Sequence, residues 1–380
     1  MQNAITTLRI QNFKSIKDVT MAPRRVNIII GEPNVGKSNI LEALSLLGGM
    51  FFDKGKFMEG QVRYEIIRNL FYDNDWSQEI TVTGKGVGGT RMRKSGESIE
   101  VVFGDGLERR TEVEDPLQQR FREAKELHIQ RLEQPQVYPW VDFKMRNHFY
   151  TSVRNDGHTG DVKWSNPQPL PHVKKYAFQK ETPHGNSYDN SFLRPPFGDN
   201  LMDVIQSSPS AFRKEIAAFF TKFGLNLALR IEQRKLEVQK NLDGFVYDYP
   251  YYLTADTLQR LIFYLAAIES NTDSVLLFEE PEAHSYPVYV SHLAQRVVES
   301  RDNQFFVVTH SPYFITEVLE EMLPSDELAS ELAVFVAYYE DYQTKVRQLS
   351  DDEVRSIRRD SLDVFYNMAR FAPRPSLAHR

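Results

Sequence analysis

A segment near the N-terminus, Gly31–Ser38, has the residue types and the spacing to hold a row of phosphate groups. It fits the pattern G-x-x-x-x-G-K-[ST] without a mismatch. In such a loop the glycines let backbone N–H groups point at phosphate oxygens, the lysine reaches the β- and γ-phosphates, and the hydroxyl ligates Mg²⁺. The sequence therefore predicts a nucleotide-binding loop, with Ser38 also on the metal. Its predicted binding residues are Gly31, Asn34, Val35, Gly36, Lys37, Ser38 and Asn39.

An acidic pair much later in the chain could complete the chemistry of this loop. Glu279 and Glu280 follow the apolar run Ser274–Phe278, which is typical of a buried strand. The first carboxylate could hold the hydration shell of Mg²⁺, and the second could polarise the attacking water. Two solvated acids at the end of a strand are a common alternative. A phosphate loop needs an acidic partner, however, and this favours Glu279 as a metal residue and Glu280 as a catalytic one.

A histidine after another apolar run is the third candidate. His310 comes two residues after the run Gln304–Val308 and could donate a hydrogen bond to a γ-phosphate. The alternative is a turn histidine, because histidines at the ends of strands often stabilise turns. The remaining histidines show no metal-ligand spacing, so His310 is the one assigned a catalytic role.

The segments around these residues predict short buried strands that alternate with amphipathic helices. This alternation indicates an α/β fold, a sheet of mostly parallel strands covered by helices. Predicted strands are Leu8–Ile16, Val26–Ile30, Glu79–Thr83, Ser98–Phe103, Leu225–Glu232, Lys235–Lys240, Ser274–Phe278 and Gln304–Val308. Predicted helices are Lys37–Leu47, Ser210–Phe223, Leu258–Ile268 and Val288–Ser300.

The predicted organisation has four parts. Residues 1–111 and 206–345 form the two halves of one domain, and residues 346–380 form a tail. Residues 112–205 are predicted to be an insertion or lid. They contain a charged, partly helical segment (Pro116–Leu132) and a stretch rich in Pro, Asn, Asp and Gly with weak periodicity. Segments of this length without clear periodicity are usually functional or mobile.

Composition excludes several classes of protein. The chain has 380 residues and no cysteine, which rules out disulfides, thiolate metal sites and a cysteine nucleophile. A net charge of −6 argues against a general coat of nucleic acid, although one local basic groove stays open. No apolar run reaches the roughly 20 residues of a membrane helix, and residues 1–10 lack the pattern of a secretory signal. We therefore expect a cytoplasmic protein without a membrane partner.

Together these motifs resemble the ABC-type ATPase heads of the RecF/SMC and OLD (overcoming lysogenization defect) lineage. Leu8–Ile16 is similar to the opening strand of that lineage, and Gly31–Leu44 to its phosphate loop and following helix. Leu276–Pro287 resembles its acidic strand, and Phe306–Pro312 its switch-histidine strand. The resemblance implies a P-loop NTPase of the ABC-head type, with a mixed sheet covered by helices and a partly helical insertion.

The resemblance also implies roles for the candidate residues. ATP and Mg²⁺ would be the cofactors, with Glu279 in place of the more usual Asp at the metal, Glu280 as the base and His310 as the switch. Two heads would enclose two ATP molecules, which implies a homodimer or a higher homo-oligomer built from dimers. The loop His284–Pro287 would then cross between subunits. The glutamine that senses Mg²⁺ in this lineage is not placed by the sequence.

One departure from the family pattern concerns the signature loop that each subunit offers to its partner. The family has a glycine-containing turn before an apolar helix, whereas Leu253–Thr257 contains no glycine. Close backbone approach to a γ-phosphate is then harder, and Thr254 or Thr257 would supply a hydroxyl instead. Slow or partner-dependent ATP hydrolysis is the expected consequence.

Three functions are compatible with this reading. The first is an ATPase that controls a separate effector, a nuclease or toxin, in anti-phage defence; too few residues follow Ser311 for a toprim nuclease domain of its own. The second is a DNA-repair ATPase that grips DNA through Arg91–Lys94, Arg109–Arg110 or Arg358–Arg359. The third is a nucleotide-gated scaffold without hydrolysis, which the missing glycine favours and the presence of Glu280 opposes.

Overall fold

The computed structural model describes residues 1–48, 55–104, 148–160, 162–164, 172–180 and 191–372. The strands are β1 (Thr7–Phe13), β2 (Ile16–Met21), β3 (Val26–Ile30), β4 (Ile80–Lys85), β5 (Gly88–Ser95), β6 (Ser98–Gly104), β7 (His148–Arg154), β8 (Lys163–Trp164), β9 (Val173–Tyr176), β10 (Leu225–Arg230), β11 (Lys235–Leu242), β12 (Phe245–Pro250), β13 (Val275–Glu279), β14 (Gln304–Val308), β15 (Leu332–Glu340) and β16 (Gln343–Gln348). The α-helices are α1 (Lys37–Ser45), α2 (Leu201–Ser207), α3 (Ser210–Thr221), α4 (Asp256–Glu269), α5 (Pro287–Glu299), α6 (Pro312–Met322), α7 (Asp326–Ala329), α8 (Asp351–Arg359) and α9 (Met368–Phe371).

A six-stranded mixed sheet in the order β16-β15-β3-β14-β13-β9 forms the centre of the fold. Its strands from β15 to β9 run parallel, and β16 is antiparallel to β15. The three buried strands predicted from continuous apolar runs are adjacent in this sheet as β3, β14 and β13. Their continuous hydrophobicity has a direct cause, since a parallel sheet is covered on both faces.

Alternate residues of these strands enter two different cores. Ile28, Phe278 and Phe305 face one core, where they pack with α4, α5 and α6. Ile29 and Phe306 face the other core, where α1 lies between the central sheet and a second sheet. All five side chains are at most 1% exposed. Burying side chains of this size contributes about 1.5–3 kcal/mol each, which fixes the register of the strands and hence the position of their ends.

The second sheet has seven antiparallel strands in the order β2-β1-β4-β5-β6-β7-β8. The single strand predicted over Leu8–Ile16 is in fact a hairpin of β1 and β2. The chain turns at Lys14, whose φ of 50° ends the extended conformation. This turn brings Lys14 and Ser15 next to the phosphate loop.

The range 112–205, predicted to be an insertion, contributes strands to both sheets. β7 pairs with β6 in the second sheet, and β9 pairs with β13 at the edge of the central sheet. These two strands are therefore parts of the two sheets, and the predicted boundaries at 111 and 205 stay a prediction. The charged segment Pro116–Leu132 lies outside the described residues, as does most of the stretch around it. No helix in the described ranges has both the length and the apolar character needed to cross a bilayer.

A small third sheet, β10-β11-β12, precedes α4. The strands predicted at Leu225–Glu232 and Lys235–Lys240 correspond to β10 and β11, whereas β12 was not predicted. β12 is exposed along its whole length and leads directly into the segment Tyr251–Ala255 before α4. The predicted signature residues Thr254 and Thr257 are thus placed at the beginning of α4.

Candidate nucleotide-binding site

Three strands of the central sheet end side by side at the edge that carries the candidate site. Val308 at the end of β14 pairs with Ile29 of β3 on one side and with Glu279 of β13 on the other. The phosphate loop, the acidic pair and the histidine segment begin directly beyond these aligned residues. The N–H of Glu280 donates to the carbonyl of Val308 at 2.8 Å, so the acidic pair is joined by a hydrogen bond to the end of β14. Parallel α/β sheets bind ligands at this edge.

The phosphate loop curls around its own lysine. Lys37 Nζ donates to the carbonyls of Gly31 and Glu32 at 2.9 and 2.7 Å, and only 6% of the residue is exposed. Burial lowers the pKa of Lys37, and the nearby carboxylate of Glu280 opposes that change. The lysine, the loop and the acidic segment therefore already influence one another electrostatically.

The beginning of α1 packs against Ser15, between β1 and β2, and against Thr344 in β16. Gly36, the residue before α1, has a φ of 93°, and a Cβ built there would lie 2.0 Å from Thr344 Oγ1. Thr344 Oγ1 donates to the carbonyl of Val35 at 2.8 Å and lies 2.6 Å from Ser15 Oγ. Asn39, predicted to bind nucleotide, donates its side-chain N–H to Ser15 Oγ at 2.7 Å. The structure thus gives Val35 and Asn39 contacts that hold the loop in place.

Three neighbouring side chains, those of Lys175, Arg63 and Ser38, favour the charged form of Glu279. Its Oε2 lies 3.1 Å from Lys175 Nζ, and its Oε1 lies 3.5 Å from Arg63 Nη2. Burial alone would raise the pKa of Glu279, but Lys175, a hydrogen bond from Ser38 and Arg63 together hold it below its usual range. The Glu279 side chain is therefore held as a carboxylate, and the other predicted metal residue, Ser38, is among the groups that lower its pKa.

The basic residues around Glu279 form a network that the sequence did not indicate. Lys175 is 3% exposed and also donates to the carbonyl of Gln61 at 2.9 Å. Arg63 Nε is 2.6 Å from Glu42 Oε1, and the fully buried Glu42 carboxylate also pairs with Lys14. Nothing in the local pattern separates these residues from ordinary surface charges, so only the tertiary structure reveals the network.

Glu280 and His310 face each other beyond the strand ends. His310 Nε2 lies 3.4 Å from Glu280 Oε1, and about half of the Glu280 side chain is exposed. Burial lowers the pKa of His310, Lys37 lowers it further, and Glu280 acts in the opposite direction. The imidazole is therefore neutral near pH 7, and the exposed Glu280 carboxylate can accept a proton.

A third carboxylate, Glu282, was not among the predicted site residues. Its Oε1 accepts hydrogen bonds from Thr309 Oγ1 at 2.6 Å and from the backbone N–H of His310 at 2.9 Å. Burial raises the pKa of Glu282, and its hydrogen bonds oppose that change. A carboxylate that receives two donors from the turn before a catalytic candidate fixes the backbone of that turn.

The predicted signature residues lie beside the loop that follows the acidic segment. Thr257 Oγ1 donates to the carbonyl of His284 at 2.8 Å, and Thr254 Oγ1 donates to the carbonyl of Tyr251 at 2.7 Å. Both hydroxyl protons are thus used within the same region of one subunit. The structure does not bring these two threonines to the phosphate loop of their own chain.

The oxygens at this edge fit Mg²⁺ that arrives with a nucleotide. In the described residues no group of three or more His, Asp or Glu side chains could hold a metal by itself. Ser38 and Glu279 offer one hydroxyl and one carboxylate. Mg²⁺ is typically bound in this way, by one or two protein oxygens together with phosphate oxygens and water.

The fold and this arrangement define the class of protein as a P-loop ATPase domain with an α/β core. Within that class, the chain belongs to the family described as "AAA domain, putative AbiEii toxin, Type IV TA system", whose model matches residues 26–316. Family membership confirms the prediction of an ATPase. The more specific resemblance to the OLD lineage is not established by this match.

One relative and two solved structures to which the chain is similar share between 14% and 21% of its residues. A protein of Helicobacter pylori named "ATP/GTP phosphatase" is 21% identical over 369 residues, covering 89% of this chain and 93% of that protein. Among solved structures, an Smc head bound to the C-winged helix domain of ScpA is 16% identical with a TM-score of 0.46, covering 93% of this chain and all of that one. An Smc head with an extended coiled coil from Pyrococcus furiosus is 14% identical, also with a TM-score of 0.46, covering 94% of this chain and 99% of that one.

Proposed function

We propose that this chain binds ATP with Mg²⁺ at the carboxyl edge of its six-stranded sheet and hydrolyses it. One observation carries the proposal: the phosphate loop, the acidic pair and the His310 segment all begin at the aligned ends of β3, β13 and β14, and His310 Nε2 lies 3.4 Å from Glu280 Oε1. The name of the Helicobacter pylori relative supports the same activity and extends the candidate substrates to GTP.

Each residue has a role that follows from its surroundings. Lys37 would exchange the loop carbonyls for β- and γ-phosphate oxygens. Mg²⁺, held by Ser38 and Glu279, would neutralise phosphate charge when bound. Glu280 would accept a proton from the attacking water, because it is exposed and faces the same space as His310. His310 would donate its N–H to the γ-phosphate.

Gln179 is our candidate for the glutamine that senses the metal. It lies three residues beyond the end of β9, which is the strand directly beside β13 in the central sheet. The topology therefore brings Gln179 to the same edge as Glu279. The sequence did not single it out, because β9 itself was not recognised as a strand of this sheet.

We propose that two copies enclose the nucleotides between them. Large side chains beside the site are exposed in the single chain: Tyr286 and Val288 at the beginning of α5 are each 66% exposed, and Tyr313 at the beginning of α6 is 55% exposed. Thr257 and His284, which are bonded to each other, lie next to this apolar rim. The rim would be buried by a partner, and Thr254 and Thr257 would reach the partner's nucleotide.

Control of a separate effector in anti-phage defence is the biological role we propose. The family description, which names a putative toxin and a type IV toxin–antitoxin system, supports a role of this kind. The OLD-type resemblance of the acidic and histidine segments supports it as well. The identity of the effector is left open.

The activity is tested with Glu280→Gln and a matched control, Glu299→Gln. Glu299 is an exposed acid at the end of α5 and lies outside the site. We expect Glu280→Gln to retain binding of a fluorescent ATP analogue, to lose phosphate release from both ATP and GTP, and to form a dimer with ATP in size-exclusion chromatography. Glu299→Gln should behave like the unmodified chain. Unchanged phosphate release from Glu280→Gln would refute the assignment of the base, and absence of nucleotide binding by the unmodified chain would refute the function.

Direct gripping of DNA is less well supported by the structure. Four of the described basic candidates are paired with an acid: Arg91 with Glu79, Arg93 with Glu100, Arg358 with Glu320 and Arg359 with Asp360. Lys94 lies instead over the ring of Trp76. Such pairing reduces the charge available to a phosphate backbone. The remaining candidate, Arg109–Arg110, lies outside the described residues. A salt-dependent shift with duplex DNA would favour this alternative over effector control.

A further inference from the structure

The turn that carries His310 is held by the side chain of Glu282, to which neither the sequence analysis nor the proposed reaction gives a role. Glu282 Oε1 is the common acceptor for Thr309 Oγ1 and the His310 N–H. Thr309 is fully buried, and its hydroxyl oxygen in turn accepts the N–H of Ser311 at 3.0 Å. Ser311 Oγ then caps α6 by accepting from Phe314 N. The backbone on both sides of His310 is thus fixed by one chain of bonds that begins at Glu282.

The backbone of Glu282 contacts the loop at His284, which lies beside the proposed subunit interface. The Glu282 carbonyl accepts the N–H of Ser285 at 2.9 Å, which shapes the loop at His284. The His284 carbonyl accepts the hydroxyl of Thr257. The second carboxylate oxygen of Glu282 is buried and has no hydrogen-bond partner in the described part of the chain.

From this geometry we infer that Glu282 is a positioning residue that couples His310 to the interface loop at His284. It holds the imidazole at its place beside Glu280 while anchoring the loop that contacts Thr257. A change of the loop, such as contact with a second subunit, then moves the histidine turn, and a change at the histidine moves the loop. This inference rests on the proposed ATPase function and adds a residue to it that touches neither nucleotide nor metal.

The test compares Glu282→Ala with Glu282→Gln. The alanine variant removes the shared acceptor, whereas the glutamine variant keeps one carbonyl oxygen for it. Misplacement of a catalytic group by about 1 Å costs about 10²-fold in rate, so we expect kcat of Glu282→Ala to fall by that order. KM for ATP and the affinity for a fluorescent ATP analogue should stay within about threefold, because the phosphate loop is untouched. Glu282→Gln should recover most of kcat.

A second variant covers the case in which Glu282→Ala fails to fold. Thr309→Val keeps the shape of the buried side chain and removes one of the two donors to Glu282, so we expect a smaller loss of kcat at unchanged KM. Glu299→Gln is the matched acidic control for both variants. Thermal unfolding of each variant checks that the fold is retained.

The outcomes separate this inference from the proposed function. If the unmodified chain hydrolyses ATP and Glu280→Gln does not, the function stands. Wild-type kcat in folded Glu282→Ala, or in Thr309→Val where the alanine variant does not fold, would then overturn the coupling role alone. A parallel loss of stability and nucleotide affinity in Glu282→Ala that Glu282→Gln does not reverse would also overturn it, because that is the behaviour of a merely structural residue.

Discussion

The buried carboxylate of Glu42 gives a quantitative prediction about the network behind the site. The Glu42 side chain is 0% exposed and pairs with Lys14 and Arg63, whose side chains are 14% and 68% exposed. In Glu42→Gln the shape is kept, but Lys14 loses its counter-charge in a mostly buried position. Breaking a buried pair by removing one partner costs about 3–5 kcal/mol, whereas an exposed partner such as Arg63 adds only about 0–1 kcal/mol. The glutamine can still accept a hydrogen bond worth about 1 kcal/mol, so we expect a net loss of about 3 kcal/mol.

Urea unfolding measured by circular dichroism tests this value, with a double-mutant cycle as the control. Lys14→Met and Glu42→Leu should each destabilise the protein, but the double variant should recover much of the loss, because replacing both partners by apolar groups is often nearly neutral. The expected coupling energy is about 2–3 kcal/mol. A Glu42→Gln variant within about 0.5 kcal/mol of the parent would refute the reasoning, since that is the range of ordinary surface substitutions. So would additive effects of the two changes.

Two further predictions concern the phosphate loop and the histidine. Gly36→Ala should abolish nucleotide binding and lower the free energy of unfolding by more than the roughly 1–3 kcal/mol of backbone strain, because its Cβ would also collide with Thr344 Oγ1. The control is Gly96→Ala, at a φ of 59° with nothing within 4 Å of the new Cβ, which should lose only the strain energy. Equal losses of the two variants in urea unfolding would contradict the role of the clash. As the pH is lowered, kcat/KM should begin to decrease only below pH 6.5, because burial and Lys37 lower the pKa of His310 and only the protonated imidazole would pair with the Glu280 carboxylate. His310→Gln should lack this decrease. A decrease that begins above pH 6.5 in the unmodified chain would contradict the assignment.

The parts of the fold that could be predicted are those whose cause is local. Val26–Ile30 and Gln304–Val308 were predicted with the bounds that the structure shows, because a strand covered on both faces is a continuous apolar run. The phosphate loop is equally local, since its glycine and lysine spacing is a property of eight consecutive residues. Together with the predicted helices, such runs led to the prediction of a mostly parallel sheet covered by helices.

The parts that could not be predicted depend on distant partners. β9 has two lysines in four residues, and lysines normally indicate a surface. Both are buried here, because Lys174 bonds to Asn271 and Ser274 while Lys175 pairs with Glu279. Only the tertiary structure supplies those partners, so β9 was placed in an insertion. β12 is different, because Asp243-Gly244 before it is a hairpin signal that could have been used.

The three carboxylates of the acidic segment 279–282 have different surroundings. Glu279 is neutralised by Lys175 and Arg63, and Glu282 receives two hydrogen-bond donors from the histidine turn. Only Glu280 keeps an exposed carboxylate. The exposed negative charge of the segment therefore lies at the position that the proposed reaction assigns to the base. Because Lys175 comes from β9 and Arg63 from the segment between α1 and β4, the candidate site depends on parts of the chain that carry no motif.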